Sequence, residues 1–106
     1  MRILIIDDDE LICRALRRAL TGYDVVTETS PQRAIERASC EAFDLVLCDM
    51  NMPAMSGDEL FAQLPANENT LRLLMSGESQ PGMLHKPFKL RELWAAVAAL
   101  QAQRCA

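Results

Sequence analysis

Short apolar runs that stop abruptly at an acid constrain this chain more than any other feature. Residues 2–6 (RILII) run straight into Asp7, Asp8 and Asp9, and residues 43–48 (FDLVLC) run into Asp49. Runs of this length are shorter than most core helices, and their near-continuous apolar character is that of strands buried on both faces of a parallel sheet. Stretches of helical period separate them. Over residues 10–20, Leu11, Ile12, Ala15, Leu16, Ala19 and Leu20 fall on one stripe, with Arg14, Arg17 and Arg18 opposite and Gly22 at the stop. Residues 24–29 (DVVTET) are β-branched and strand-like. Ser30 and Pro31 then supply an N-cap and a first-turn proline for a helix to about Cys40, with Ala34, Ile35 and Ala38 inward. A short helix over 57–64 is stopped by Pro65, followed by a polar loop at 66–70 and a fourth strand at 71–75. The longest helix spans 89–104, with Leu90, Leu93, Trp94, Val97 and Leu100 on one face.

Composition narrows the classes. A chain of 106 residues, half hydrophobic and a quarter charged, reads as one globular domain over 1–106. Its formal charge of −4 argues against a general binder of nucleic acid or anionic membrane, since both need a positive field. No apolar run approaches the ~20 residues of a membrane span, and the start is too short and too quickly acidic for a secretory signal. Cys13, Cys40, Cys48 and Cys105 have no C-x-x-C spacing, and His85 is the only histidine. A zinc site or disulfide framework is therefore not expected; buried free thiols and a cytoplasmic setting are.

Alternating strands and helices predict an α/β fold with a parallel sheet covered on both faces. Such sheets bind ligands outside the carboxyl ends of their strands. Here those ends carry Asp7, Asp8 and Asp9, then Asp49, then Ser76, and, for a last strand at 82–86, Lys86. Clustered carboxylates repel, so a cation is called for; oxygen-only ligands suit a hard ion that keeps some of its waters, Mg²⁺ or Mn²⁺. A phosphoryl group would complete such a site, with Lys86 neutralising one of its oxygens, Ser76 donating to another, and Asp49 as the nucleophile. Taken singly, the three aspartates also read as a solvated helix cap and Asp49 as the start of a loop.

The ordered series IIDDDE, LVLCDMNMPAMSG, LLMSG and HKPF resembles the receiver domain of two-component response regulators over nearly the whole chain. The resemblance implies a doubly wound five-stranded parallel sheet of order 2-1-3-4-5. It also implies phosphorylation by a histidine kinase or phosphotransfer protein. By position, Asp49 would accept the phosphoryl group; Asp8 would bind Mg²⁺ directly, Asp7 directly or through water, and the Asn51 backbone carbonyl would be the third protein ligand. Lys86 would pair with the phosphoryl group, followed by Pro87, whose peptide bond is cis in the family. Ser76 would be the switch hydroxyl, and Gly77 would leave Asp49 accessible. Pro53 and Gly57 would shape the loop after the phosphoacceptor strand, while Asp9 has no family role and suits a helix N-terminus.

Two departures stand out. The family's switch aromatic, three positions before the lysine, is here Met83, and only ten positions separate Ser76 from Lys86. A crossover carrying its own helix needs at least about 10–12 residues, so the fourth receiver helix is expected to be absent, leaving about four helices and an extended return. That loss is expected to uncover Leu74 or Met75 together with Met83. Met50, Met52 and Met55 would then extend a methionine-rich surface for a partner or a homodimer, or else these side chains fill core gaps. A phosphorylation-independent interaction module is the competing reading. An aspartyl phosphohydrolase would need a second acid where Asn51 stands, and a flavin protein a phosphate-cradling loop where three aspartates stand.

Overall fold

The computed structural model describes residues 1–65, 70–77, 84–86 and 88–105, with residues 104 and 105 described by their backbone alone. Five strands, β1 (Arg2–Ile6), β2 (Asp24–Glu28), β3 (Leu45–Asp49), β4 (Leu71–Ser76) and β5 (Leu84–His85), form one parallel sheet of order β2-β1-β3-β4-β5. Among the described residues four helices accompany it: α1 (Glu10–Ala19), α2 (Pro31–Cys40), α3 (Gly57–Gln63) and α4 (Leu90–Cys105).

Alternation along β1 divides the core in two. Ile3 and Ile5 join Leu45, Leu47 and Met75 under α1 and α4, where Leu16, Leu93 and Val97 meet them. Leu4 and Ile6 face the other way with Val46, Cys48 and Leu74, packing on Ala34 of α2 and Leu60 of α3. Every residue of β3 is buried, as its unbroken apolar run requires. The helices begin where the side chains dictate: Asp9, Ser30 and Ser56 each cap an N-terminus by accepting from a backbone N–H of the first turn. Gly22, at φ 103°, makes the turn after α1 in a conformation that a side chain resists.

Several expectations are corrected. Leu11 and Ala15 lie on the predicted inner stripe of α1 yet are exposed, Leu11 by 70%, because the face that packs on the sheet is centred on Cys13, Leu16 and Leu20 and leaves both outside it. Leu90 and Trp94 are half-exposed, and Leu93 with Val97 carry the buried face of α4. Cys13 and Cys48 are buried free thiols, whereas Cys40, at the end of α2, is exposed.

The short link after β4 does not uncover the strand. Leu74 packs into the α2–α3 layer and Met75 into the α1–α4 layer, and both are buried. Met50, Met52 and Met55 likewise pack against the α2–α3 layer, so these methionines fill core and do not build an exposed patch. The described part of β5 is two residues and pairs only with Met75 and Ser76. Met83 and Pro87 lie outside the described residues, as does most of the expected polar loop.

Candidate functional site

Strand termini place the acids. Asp7 follows the last residue of β1, and its N–H donates to the Glu28 carbonyl at the end of β2, 3.2 Å away. Its side chain is buried and held at both oxygens. Oδ1 accepts from the Asp9 N–H at 3.0 Å, and Oδ2 from the Lys86 ammonium at 2.8 Å. Asp9 is able to do this because it caps α1, where its own carboxylate accepts from Leu11 N–H at 2.9 Å. Asp8, between them, is exposed.

Asp49 ends β3 opposite Met75 and is buried. Its Oδ1 lies 3.4 Å from Lys86 Nζ and 3.4 Å from the donating Asn51 N–H. Asp7, Asp8 and Asp49 each offer a carboxylate oxygen within 4.8 Å of the others. Ser76 is buried at the end of β4, and its carbonyl accepts from the Lys86 N–H at 2.6 Å. That backbone bond delivers the lysine beside two acids.

Burial raises the Asp49 carboxyl above the ordinary carboxylate range; Lys86 pulls it down, but the Asp7 charge adds to the upward push. Burial alone would lower Lys86, yet its bonds and charge contacts with Asp7 and Asp49 outweigh that and leave it raised. The pocket is over-supplied with negative charge for one ammonium. An all-oxygen set of three acids around a half-compensated centre fits a hard divalent cation. Two buried thiols flank it. Desolvation, followed by the charge of Asp7, pushes Cys13 up to about 11; desolvation, followed by the charge of Asp49, pushes Cys48 up to about 12. Both stay protonated near neutrality.

The loop after β3 is pinned by Gly57. Its N–H donates to the Met50 carbonyl at 2.9 Å, and a Cβ there would meet Leu74 Cδ2 at 2.5 Å and the Asp49 carbonyl oxygen at 2.9 Å. The glycine lets α3 begin against the strand end that carries Asp49. A Cβ at Gly77 would meet nothing within 4 Å, so no packing demand accounts for that glycine. Pro53 and Asn51 are exposed in the loop. Sequence reasoning therefore brings together the residues that do converge: Asp7, Asp8, Asp49, Ser76 and Lys86. It misses the Cys13 thiol, which donates to the Asp7 carbonyl at 3.4 Å, and the anchoring Glu28 carbonyl. Neither leaves a signal in residue type, since each acts on backbone atoms.

Residues 3–98 match the response regulator receiver domain family. The chain belongs to that family. Receivers are the input-receiving domains of two-component response regulators, signalling modules whose general partners are histidine kinases. Response regulator MprA of Mycobacterium leprae is 33% identical over 115 residues, covering 94% of this chain and 50% of that protein. PhoP of Bacillus subtilis, an alkaline phosphatase synthesis transcriptional regulatory protein, is 30% identical over 93% of this chain and 48% of its own length. The chain thus spans about half the length of the curated relatives it matches. The MprA alignment is longer than the 106 residues available, so the relative carries residues this receiver lacks. Among solved structures, chemotaxis protein CheY4 of Vibrio cholerae superposes with a TM-score of 0.82 at 26% identity, covering 93% of this chain and 97% of that one.

Proposed function

We propose that this receiver accepts a phosphoryl group on Asp49 from a histidine kinase or phosphotransfer protein and passes the signal by changed binding to an output partner. The observation that carries the reading is the Lys86 ammonium set between Asp7 and Asp49, with the Ser76 strand end beside it. An Asp49 carboxylate oxygen forms the O–P bond while the P–N bond to the donor imidazole breaks, and that nitrogen keeps the electron pair and takes a proton. Lys86 leaves Asp7 for a phosphoryl oxygen, and the Ser76 hydroxyl donates to another. Asp7, Asp8 and Asp49, with the Asn51 carbonyl, would hold Mg²⁺ or Mn²⁺. The ion would neutralise the charge of acids and phosphoryl group together. Gly77, with no Cβ, keeps the approach to Asp49 open. Turnover of a substrate is not the role; transfer and later hydrolysis occur on the domain itself.

Leu11 extends from the first turn of α1 beside the acids and is 70% exposed, a surface on which a phosphodonor protein gains apolar contact. Among the described residues no helix is long and apolar enough to cross a membrane, compatible with a cytoplasmic phosphorelay. The test is incubation with a small phosphodonor and Mg²⁺, followed by intact mass. A gain of one phosphoryl group, lost in Asp49→Asn, is expected. No gain points to the phosphorylation-independent interaction module, and a gain that survives Asp49→Asn removes Asp49 as acceptor.

A further inference from the structure

Asp7 is the most constrained acid of the pocket, and one of its constraints comes from a residue that no chemistry of the site requires. Its side-chain oxygens are held by the Asp9 N–H and by Lys86. Its carbonyl lies past the last residue of β1 that pairs with β3, where the chain turns into α1. A buried carbonyl at such a turn needs a donor. The Cys13 thiol supplies it across six residues at 3.4 Å, from a side chain 2% exposed in the layer between the sheet and α1.

We propose that Cys13 is a positioning residue for the acid site: its thiol, by holding the Asp7 carbonyl, fixes where the Asp7 carboxylate stands. The Asp7 peptide plane and its carboxylate share one Cα. A carbonyl released from Cys13 rotates the residue about that atom and pulls Oδ1 away from the Asp9 N–H. The distance to Asp49 then changes, and with it the spacing of the three carboxylates that lie within 4.8 Å. Cys13 thus acts on the site through Asp7 without touching ligand. Its link to cation binding rests on the reading of the acids as a metal site, whereas its effect on Asp7 does not.

Three variants separate positioning from plain packing. Cys13→Ala removes the donor, Cys13→Ser keeps one, and Val97→Ala cuts an equally buried side chain of α4 in the same layer. The first readout is hydrogen exchange of the Asp9 amide in metal-free protein. Cys13→Ala should exchange about three- to fivefold faster at this amide, the scale of one lost hydrogen bond. Cys13→Ser and Val97→Ala should match the parent. The second readout is the Mn²⁺ dissociation constant from water proton relaxation, expected to weaken about three- to tenfold in Cys13→Ala only. An unchanged Asp9 amide in Cys13→Ala, or equal acceleration in Val97→Ala, overturns the proposal. A parent protein that binds no Mn²⁺, with the Asp9 amide behaving as stated, overturns the metal reading and leaves the positioning role standing.

Discussion

Replacing Lys86 by methionine keeps most of the side-chain length and removes the ammonium that stands between two acids. Its nitrogen lies 2.8 Å from Asp7 and 3.4 Å from Asp49. At an effective dielectric of ~20 those separations correspond to attractions of about 6 and 5 kcal/mol, offset by a desolvation cost of several kcal/mol for each ion taken from water. Breaking a fully buried pair costs ~3–5 kcal/mol, and because Lys86 is 21% exposed the expected loss is lower, about 2–4 kcal/mol. Urea denaturation in chelator at neutral pH measures it. The pH dependence has a definite sign. Asp49 titrates above its unfolded value, so its charge costs stability above that value, and the cost disappears as pH falls through the folded pKa. Without Lys86 the carboxyl rises further, and the deficit of Lys86→Met therefore shrinks on acidification. Mg²⁺ should stabilise Lys86→Met more than the parent, because in the parent the lysine already occupies Asp7. Equal stability of the two proteins in chelator, or a smaller Mg²⁺ effect in the variant, would refute the reasoning.

Three further outcomes are expected. Gly57→Ala forces a Cβ against Leu74 and the Asp49 carbonyl, and should cost about 1–3 kcal/mol in denaturant unfolding; a neutral result would mean that α3 shifts freely at its start. Leu11→Asp, at an exposed position, should change stability by less than about 0.5 kcal/mol and leave labelling by a small phosphodonor intact, while slowing transfer from a cognate kinase; equal slowing with both donors would place Leu11 in the chemistry instead. Iodoacetamide at neutral pH, followed by peptide mass mapping, should modify Cys40 in the folded protein while Cys13 and Cys48, raised to about 11 and 12, stay free until urea unfolds the chain.

Most of the architecture was legible because it rests on side-chain type. An unbroken apolar run buried on both faces leaves little choice but a parallel strand, and the acid that ends it marks the sheet edge. Asp7 and Asp49 are legible that way, each from its own strand, whereas Lys86 rests on the short run 82–86 and the HKPF match. Pattern and structure part where residue type and position separate. Leu11 fits the periodicity of α1 but, like Ala15, falls outside the face centred on Cys13, Leu16 and Leu20 that packs on the sheet. Leu74 or Met75 is expected on an uncovered face; the two point into different layers, as successive strand residues do, and α3 covers one while α4 covers the other. Backbone bonds were invisible altogether: nothing in the letters of Glu28 or Cys13 says that a carbonyl or a thiol holds Asp7 in place.

The short link after β4 bears on function less through what it removes than through what it leaves untouched. Three site residues, Asp7, Asp49 and Ser76, stand at or just past the ends of three adjacent strands of one sheet, and their separation is set by strand spacing and register. Lys86 joins them because β5 pairs with the last two residues of β4 and the Lys86 N–H bonds the Ser76 carbonyl. Neither contact involves the segment between the strands. A receiver can therefore lose a helix there and keep its acid–lysine geometry, provided two residues of edge strand remain in register. A one-residue slip of β5 would instead turn Lys86 to the opposite face of the sheet, away from Asp7 and Asp49. The Met75–Leu84 and Ser76–His85 pairs are accordingly where this shortened receiver depends on its fifth strand, and the Lys86-to-Asp7 ion pair is the direct readout of that register.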